Sequence, residues 1–293
     1  MAGQRGWRTG LIALVFIAPS LVPLLLFMVG PMAASAGISL LSWDLLTPAK
    51  WVGAANYRAL LEDEDFRRAF LHTLAFIAGY LPLVLVGGLG VALALNQRLR
   101  GLGFFRTVYF LPVVTSWVVV ALIWKWLLNP GTGLVNWSLG LVGINGPGWW
   151  VDPQWAMPSI VLASAWKDVG FVMVILLAGL QAIPEDYYEA AALDGQGRWG
   201  RFRHVTLPLL TPAIFFVVVI SLINNFQVFD QVWVMTGGGP ADATSVVMEQ
   251  VVKNAFSFGR MGYAAAMSWV LFAVILAITL VQLRLQRRWV NYA

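Results

Sequence analysis

Six stretches of this sequence run for about the length of one membrane crossing with almost no charge, and no other feature limits the fold so strongly. They cover residues 11–29, 74–95, 108–124, 156–180, 209–235 and 261–283. A helix needs about 20 mainly apolar residues to cross the hydrocarbon core of a bilayer. Four of the runs, 11–29, 74–95, 108–124 and 261–283, are free of charge; the fourth in chain order contains Lys167 and Asp168, and the fifth continues past Asp230. Over the 293 residues only 11% are charged and 59% are hydrophobic, with a mean hydropathy of +0.75. A soluble domain carries roughly 25% charged residues, and could not hide this much apolar surface. The predicted class is an all-α integral membrane protein with six transmembrane helices. Fifteen tryptophans fit that class, because the indole ring favours the membrane–water boundary. The chain has no cysteine, which removes disulfides and thiolate metal sites.

The first run also resembles a secretory signal, with Arg5 and Arg8 before it and Ala34-Ser35-Ala36 after it. Signal cores run for about 7–15 residues, and this run is longer, so a retained span is expected. Orientation follows from the bases. With the N-terminus inside and six crossings, the inner face receives Arg5, Arg8, Arg98, Arg100, Arg106, Arg198, Arg201, Arg203, Arg284, Arg287 and Arg288. The outer face receives Lys50, Arg58, Arg67, Arg68, Lys125, Lys253 and Arg260, mostly in longer segments that also hold Glu62, Asp63, Glu64 and Asp65. Lys/Arg bias on short loops is what sets topology. Both termini are therefore predicted to be cytoplasmic. The same bias accounts for the net charge of +5 without a nucleic-acid partner.

Residues 181–208 then form the longest cytoplasmic loop. Ile183-Pro184-Glu185-Asp186 has the form of a helix start, with proline in the first turn and acids at the positive end of the dipole. Asp194-Gly195 would end that helix, since glycine readily takes the left-handed conformation. A second short helix over residues 197–205 carries Arg198, Arg201, Arg203 and His204, and Pro208 separates it from the next span. An interfacial helix on anionic lipid would suit the arginine arm. It would not suit Glu185, Asp186 and Glu189 on the first arm. Small alanines beside a glutamate favour a protein surface pressed close.

The same stretch resembles the EAA loop of bacterial ABC importer permeases, whose pattern is E-A-A, three residues, G, nine residues, I-x-L-P. Glu189-Ala190-Ala191 is followed at those spacings by Gly195 and by Val205-Thr206-Leu207-Pro208, with valine in place of isoleucine. WVGAANYRALL from Trp51, FFRTVYFLPVV from Phe104, LIWKWLLNP from Leu122 and FQVFDQVWVMTGGGP from Phe226 are similar to the carbohydrate-uptake branch of maltose and glycerol-phosphate permeases. The resemblance covers nearly the whole chain. It implies a type I importer permease fold as one transmembrane domain over residues 1–293, in the bacterial cytoplasmic (inner) membrane, multi-pass. It also implies that residues 181–208 are the coupling loop, seated in a cleft of a cytoplasmic ATPase subunit. Glu189, Ala190, Ala191, Asp194, Gly195, Leu207 and Pro208 would form that contact. The implied partners are a second, homologous permease chain, two ATPase subunits and an extracytoplasmic sugar-binding protein. The cargo would be an oligosaccharide, disaccharide, polyol or glycerol phosphate.

Ionisable or amide side chains inside spans usually face a cavity or a partner. Ser221, Asn224, Asn225 and Val228 recur at helical spacing, so a polar stripe could face an interior path. Such residues could equally be bonds between helices. The resemblance favours a solute-facing role, with Trp166 or Phe171 as an apolar platform and Asn224, Asn225 or Gln227 for hydroxyls; Asp230 completes the candidate set. Lys167 and Asp168 could pair structurally or face the solute. No G-x-x-x-x-G-K-[ST] phosphate loop is present, so this chain is not expected to hydrolyse ATP; the resemblance implies that ATP and magnesium belong to partner subunits, and this chain is expected to bind no cofactor. His72 and His204 stand far apart, and neither a catalytic site nor a metal site is expected. An ion-coupled secondary transporter is the alternative class, but such folds often carry repeated halves, and no repeat is visible here.

Overall fold

The computed structural model describes residues 2–97 and 101–290. Arg98 and Arg100, two of the bases used for orientation, lie outside the described residues. The chain is mostly helical, as its apolar runs require. By contact clustering it divides into two compact units, one of residues 1–63 and 251–270, the other of residues 64–250 and 271–293.

In the first unit, helix α1 (Ala2–Leu24) passes through a π turn at Leu25–Val29 into α2 (Gly30–Ile38). Within Ile12–Ile38, a run apolar enough to cross a membrane, the most apolar stretch buries none of its side chains inside the chain. A two-stranded hairpin follows, β1 (Leu41–Ser42) antiparallel to β2 (Lys50–Trp51), and then α3 (Ala55–Glu62). The hairpin is a departure from the all-α expectation. It is held by side chains too irregular to show a period: Asn56 Nδ2 donates to the carbonyls of Ser39 (2.8 Å) and Leu41 (2.9 Å). Asp44 Oδ1 accepts from Leu46 N (3.0 Å), Thr47 N (2.7 Å) and Thr47 Oγ1 (2.9 Å). Those donors hold its carboxyl below the usual aspartate value. The start of α15 (Met261–Trp289) closes this unit, where Met261 N donates to Trp43 O at 3.0 Å.

The second unit contains α4 (Glu64–Leu95), α5 (Leu102–Val114), α6 (Trp117–Leu127), α7 (Leu134–Leu141) and α8 (Pro153–Gln181). After these come α9 (Glu185–Leu193) and α10 (Arg198–Arg201), a π turn at Phe202–Thr206, then α11 (Leu207–Leu209), α12 (Thr211–Phe226), α13 (Asp230–Met235) and α14 (Val247–Val252). Local chemistry sets the start of α8: Asp152 accepts from Gln154 N at 2.9 Å and Pro153 occupies the first helical position.

Helix α8 is the centre of this unit, packed on α4, α5 and α12. Helices in lipid approach closely where small residues remove the side-chain barrier. A Cβ on Gly88 would lie 2.4 Å from Val172, and one on Gly170 would lie 2.0 Å from the Tyr109 carbonyl oxygen. Phe76, Val84, Ile160, Val172, Met173 and Leu176 fill the space between, each almost wholly buried.

Among the described residues, four helices are long and apolar enough to cross a membrane, and two bent pairs would each make a further span. The run read from sequence as a span at 108–124 is two helices, α5 and α6, bent by 100° at Thr115-Ser116. The run at 209–235 is helical from Thr211 to Phe226, opens at residues 227–229 and restarts as α13. Hydropathy registers neither break, because both lie between apolar neighbours.

Candidate functional site

The break after α12 is the place to look for a site. Non-helical backbone at membrane depth is tolerated only where protein buries it or where it lines a cavity. Around it lies a cavity of about 310 Å³. Helix α12 contributes Ser221, Asn224 and Asn225, the open segment contributes Gln227, and α13 contributes Asp230 and Gln231. Facing them are Asp168 and Phe171 from α8, Tyr80 from α4, Val113 from α5 and Trp117 from α6.

Each polar member has a defined partner or an open face. Tyr80, 3% exposed, donates its hydroxyl to Asp168 Oδ2 at 2.9 Å and lies beside Ser221 and Asn225. Asn225 is buried and donates Nδ2 to the Ser221 carbonyl at 2.7 Å. Gln231 reaches Ser164 Oγ at 3.5 Å. Asn224, Gln227 and Asp230 are exposed and line the cavity. Amide and hydroxyl groups both donate and accept, whereas a carboxylate only accepts. The aromatic rings of Trp117, Phe171 and Phe229 complete the wall.

Lys167, next to Asp168 in sequence, does not line the cavity. It is 5% exposed, donates Nζ to the Val113 carbonyl at 3.0 Å, and sits 4.7 Å from the centre of the Trp117 ring. The break after α5 explains this. The last carbonyls of a helix have no partner of their own, and Lys167 supplies one while its charge rests on an aromatic face. These contacts link α8 to the end of α5 and the start of α6.

The structure thus brings together six of the seven residues singled out for solute contact: Phe171, Ser221, Asn224, Asn225, Gln227 and Asp230. Trp166 is elsewhere, half exposed and edge-on to Trp124 at 5.8 Å. Residues 168 and 171 share a face of α8, while 166 lies well round from both on a helix of 3.6 residues per turn. Tyr80 and Trp117 went unnoticed in the sequence. Tyr80 is an isolated hydroxyl in an apolar run, and that was its one available signal; Trp117 had none.

The second candidate region is α9 and its return. Helix α9 ends as its glycine requires: Gly195 has φ +76°, its N–H donates to Ala192 O at 3.0 Å, and Gln196 N donates to Ala191 O at 3.0 Å. This is the paired closure of a helix by a left-handed glycine. The return arm is helical from Arg198 through Leu209, longer than the 197–205 expected. Tyr188 and Thr206 hydroxyls meet at 3.1 Å and tie the arms together. Glu189, Ala190 and Asp194 are exposed, Leu193 is 90% exposed and Ala191 is buried. Leu207 and Pro208 lead through α11 directly into α12. Among the described residues, no three His, Asp or Glu side chains are grouped to hold a metal ion.

Comparison with known proteins identifies the family of the chain. Residues 85–291 match the family model "Binding-protein-dependent transport system inner membrane component". The chain is 35% identical over 288 residues to the trehalose/maltose transport system permease protein MalF of Thermococcus litoralis, covering 98% of this chain and 97% of that one. It is 35% identical over 279 residues to the sulfoquinovosyl glycerol transport system permease protein SmoG of Agrobacterium fabrum, covering 94% and 91%. Among solved structures, a bacterial ABC transporter that imports the acidic polysaccharide alginate contains a chain of the same fold, with TM-score 0.84, 25% identity and coverage of 98% and 99%. With its apolar helices, its broken span around a polar cavity and this match over most of its length, the chain is a multi-pass membrane protein of the binding-protein-dependent transport system inner membrane component family.

Proposed function

We propose that this chain is a permease subunit of an ATP-driven, binding-protein-dependent importer for a sugar or sugar-like solute. The observation that carries the proposal is that one helix joins both candidate regions. Helix α12 has 16 residues, so it extends about 24 Å. At its N-terminal end are the return arm and the exposed face of α9, and at its C-terminal end it opens onto the cavity. A push on α9 would reach the cavity wall through the return arm, which bends by 60° at Leu210, and then along α12.

In this reading the chain is a single permease domain of six spans, with α5 and α6 together as one span, α12 and α13 together as another, and both termini in the cytoplasm. Residues 181–208 are the coupling loop. Glu189, Ala190, Ala191, Asp194, Gly195, Leu207 and Pro208 meet an ATPase subunit, which binds ATP and magnesium in place of this chain. Exposed Leu193 and Tyr187 add apolar area to that contact, and Glu189 offers a carboxylate to a base on the partner. A second, homologous permease chain completes the path, two ATPase subunits drive it and an extracytoplasmic binding protein delivers the solute. Asn224, Asn225 and Gln227 contact sugar hydroxyls, Ser221 and Asp230 add acceptors, and Phe171 stacks on apolar ring faces; Trp166 supports this wall from outside it.

The relatives' names and the alginate transporter point to carbohydrate as the class. They span an uncharged disaccharide and an acidic polysaccharide, so the charge of this chain's own cargo has to come from its own cavity.

Glu189→Lys tests the coupling role in the complete transporter. The variant should insert into the membrane normally, lose co-purification of the ATPase subunit and abolish sugar uptake. Normal uptake by that variant would sink the proposal.

A further inference from the structure

Resting on the solute-cavity reading above, we infer that the cavity rejects anions, with Asp168 and Asp230 as charge-selecting residues, so the solute that passes is a neutral or cationic carbohydrate. Among the described residues, the ionisable side chains that line it are Asp168, Asp230 and Tyr80, with no lysine, arginine or histidine side chain. The nearest base in sequence, Lys167, does not line the cavity: its ammonium donates to the Val113 carbonyl and lies over the Trp117 ring. Its charge offsets part of that of Asp168 and leaves Asp230 unpaired with a base in the lining.

The donors and acceptors match this charge. One oxygen of Asp168 already receives the Tyr80 hydroxyl, which fixes the carboxylate and leaves its other oxygen for an incoming donor. Asp230 is exposed and adds a second acceptor. A neutral sugar meets both with hydroxyl hydrogens and uses the amides of Asn224 and Gln227 for its remaining oxygens. An amino sugar adds an ammonium that either carboxylate can receive. A phosphate or uronate brings acceptors and like charge to a wall that is rich in acceptors, and such an arrangement discriminates by repulsion. Glycerol phosphate, open on the sequence alone, is thereby disfavoured by the wall that this chain supplies.

The absence of cysteine from the chain makes the cavity potential directly measurable. Asn224→Cys and Gln227→Cys are placed singly in the complete transporter in proteoliposomes, with the parent transporter as background. Each thiol is reacted with cationic trimethylammonium-ethyl and anionic sulfonato-ethyl methanethiosulfonate. Each rate is divided by that reagent's rate with a free small thiol. The normalised ratio should favour the cation on the order of tenfold, as expected for unit charges several ångströms apart in a partly desolvated site. It should fall toward one when Asp168→Asn and Asp230→Asn are added. A ratio of one or less at both positions overturns the inference, and so does a ratio indifferent to the two aspartates. If neither thiol reacts, no solute path opens there and the cavity reading falls with it. Absent uptake of every member of a panel of neutral and amino mono-, di- and oligosaccharides and polyols, beside an intact ratio, would overturn the sugar reading alone.

Discussion

The loop at residues 185–209 and the cavity at the far end of α12 are both built around an interrupted helix, and they hold their shape in opposite ways. The loop's turn is closed by its own backbone: Gly195 and Gln196 donate to Ala192 and Ala191, a few residues away. Its functional face is exposed and makes little use of the rest of the chain. The cavity has almost no local support. Its wall comes from α4, α5, α6, α8, α12 and α13, and its fixed carboxylate is oriented by a tyrosine 88 residues distant in sequence. In the proposed function, one region is gripped by an outside partner and the other surrounds a small solute. Damage should therefore spread differently in each.

Three substitutions would break or sharpen that contrast. The largest effect on the folded protein is expected at Gly170→Ala, because the new Cβ would lie 2.0 Å from the Tyr109 carbonyl oxygen. Forcing α5 away from α8 should lower stability by about 1–3 kcal/mol and reduce uptake with it. Thermal unfolding of the purified complex reads the first and a transport assay the second. An unchanged melting temperature would mean the cavity wall is not fixed by that contact.

Next is Gly195→Val, where a β-branched residue must adopt φ +76°. The local cost is about 1–2 kcal/mol, which would shift the docked geometry by roughly tenfold. Uptake and ATPase association should both fall while the melting temperature moves little. A large melting shift would show that the loop is not the locally closed unit described here.

The smallest is Tyr80→Phe, which removes one hydroxyl and frees an oxygen of Asp168. Bonds between helices in membranes average about 0.6 kcal/mol, so the apparent affinity for solute should change about threefold, with assembly intact. Loss of assembly would make Tyr80 a structural bond first and a cavity residue second.

These differences in support are also differences in what can be read from sequence. The Gly195 turn is legible because its cause is local: a glycine after a run of good helix formers, where φ must be positive. The span at 74–95 is legible because apolarity over about 20 residues is a local property. The face of α8 is not. That helix is buried by α4, α5 and α12 on several sides, so its apolar residues run all the way round and no period separates Trp166 from Asp168. The expectation for Trp166 as a platform came from its type, and the helix turned it toward Trp124 instead. Lys167 shows the same limit. Its partner is a carbonyl freed by a break in another helix, and neither the break nor the distance is written near residue 167.

By itself the amino-acid sequence determined that this chain must cross a membrane several times, where its charges must stay out of lipid, and that residues 185–208 form a turned, exposed pair of arms. Each follows from the solvation of residues close together in the chain. Only the tertiary structure decided that Tyr80, Asp168 and Asp230 share one cavity, that Lys167 is withdrawn from it, and that the fifth apolar run opens at residues 227–229. Those outcomes depend on which helices approach closely enough, through glycines at 88 and 170, to bring distant residues together.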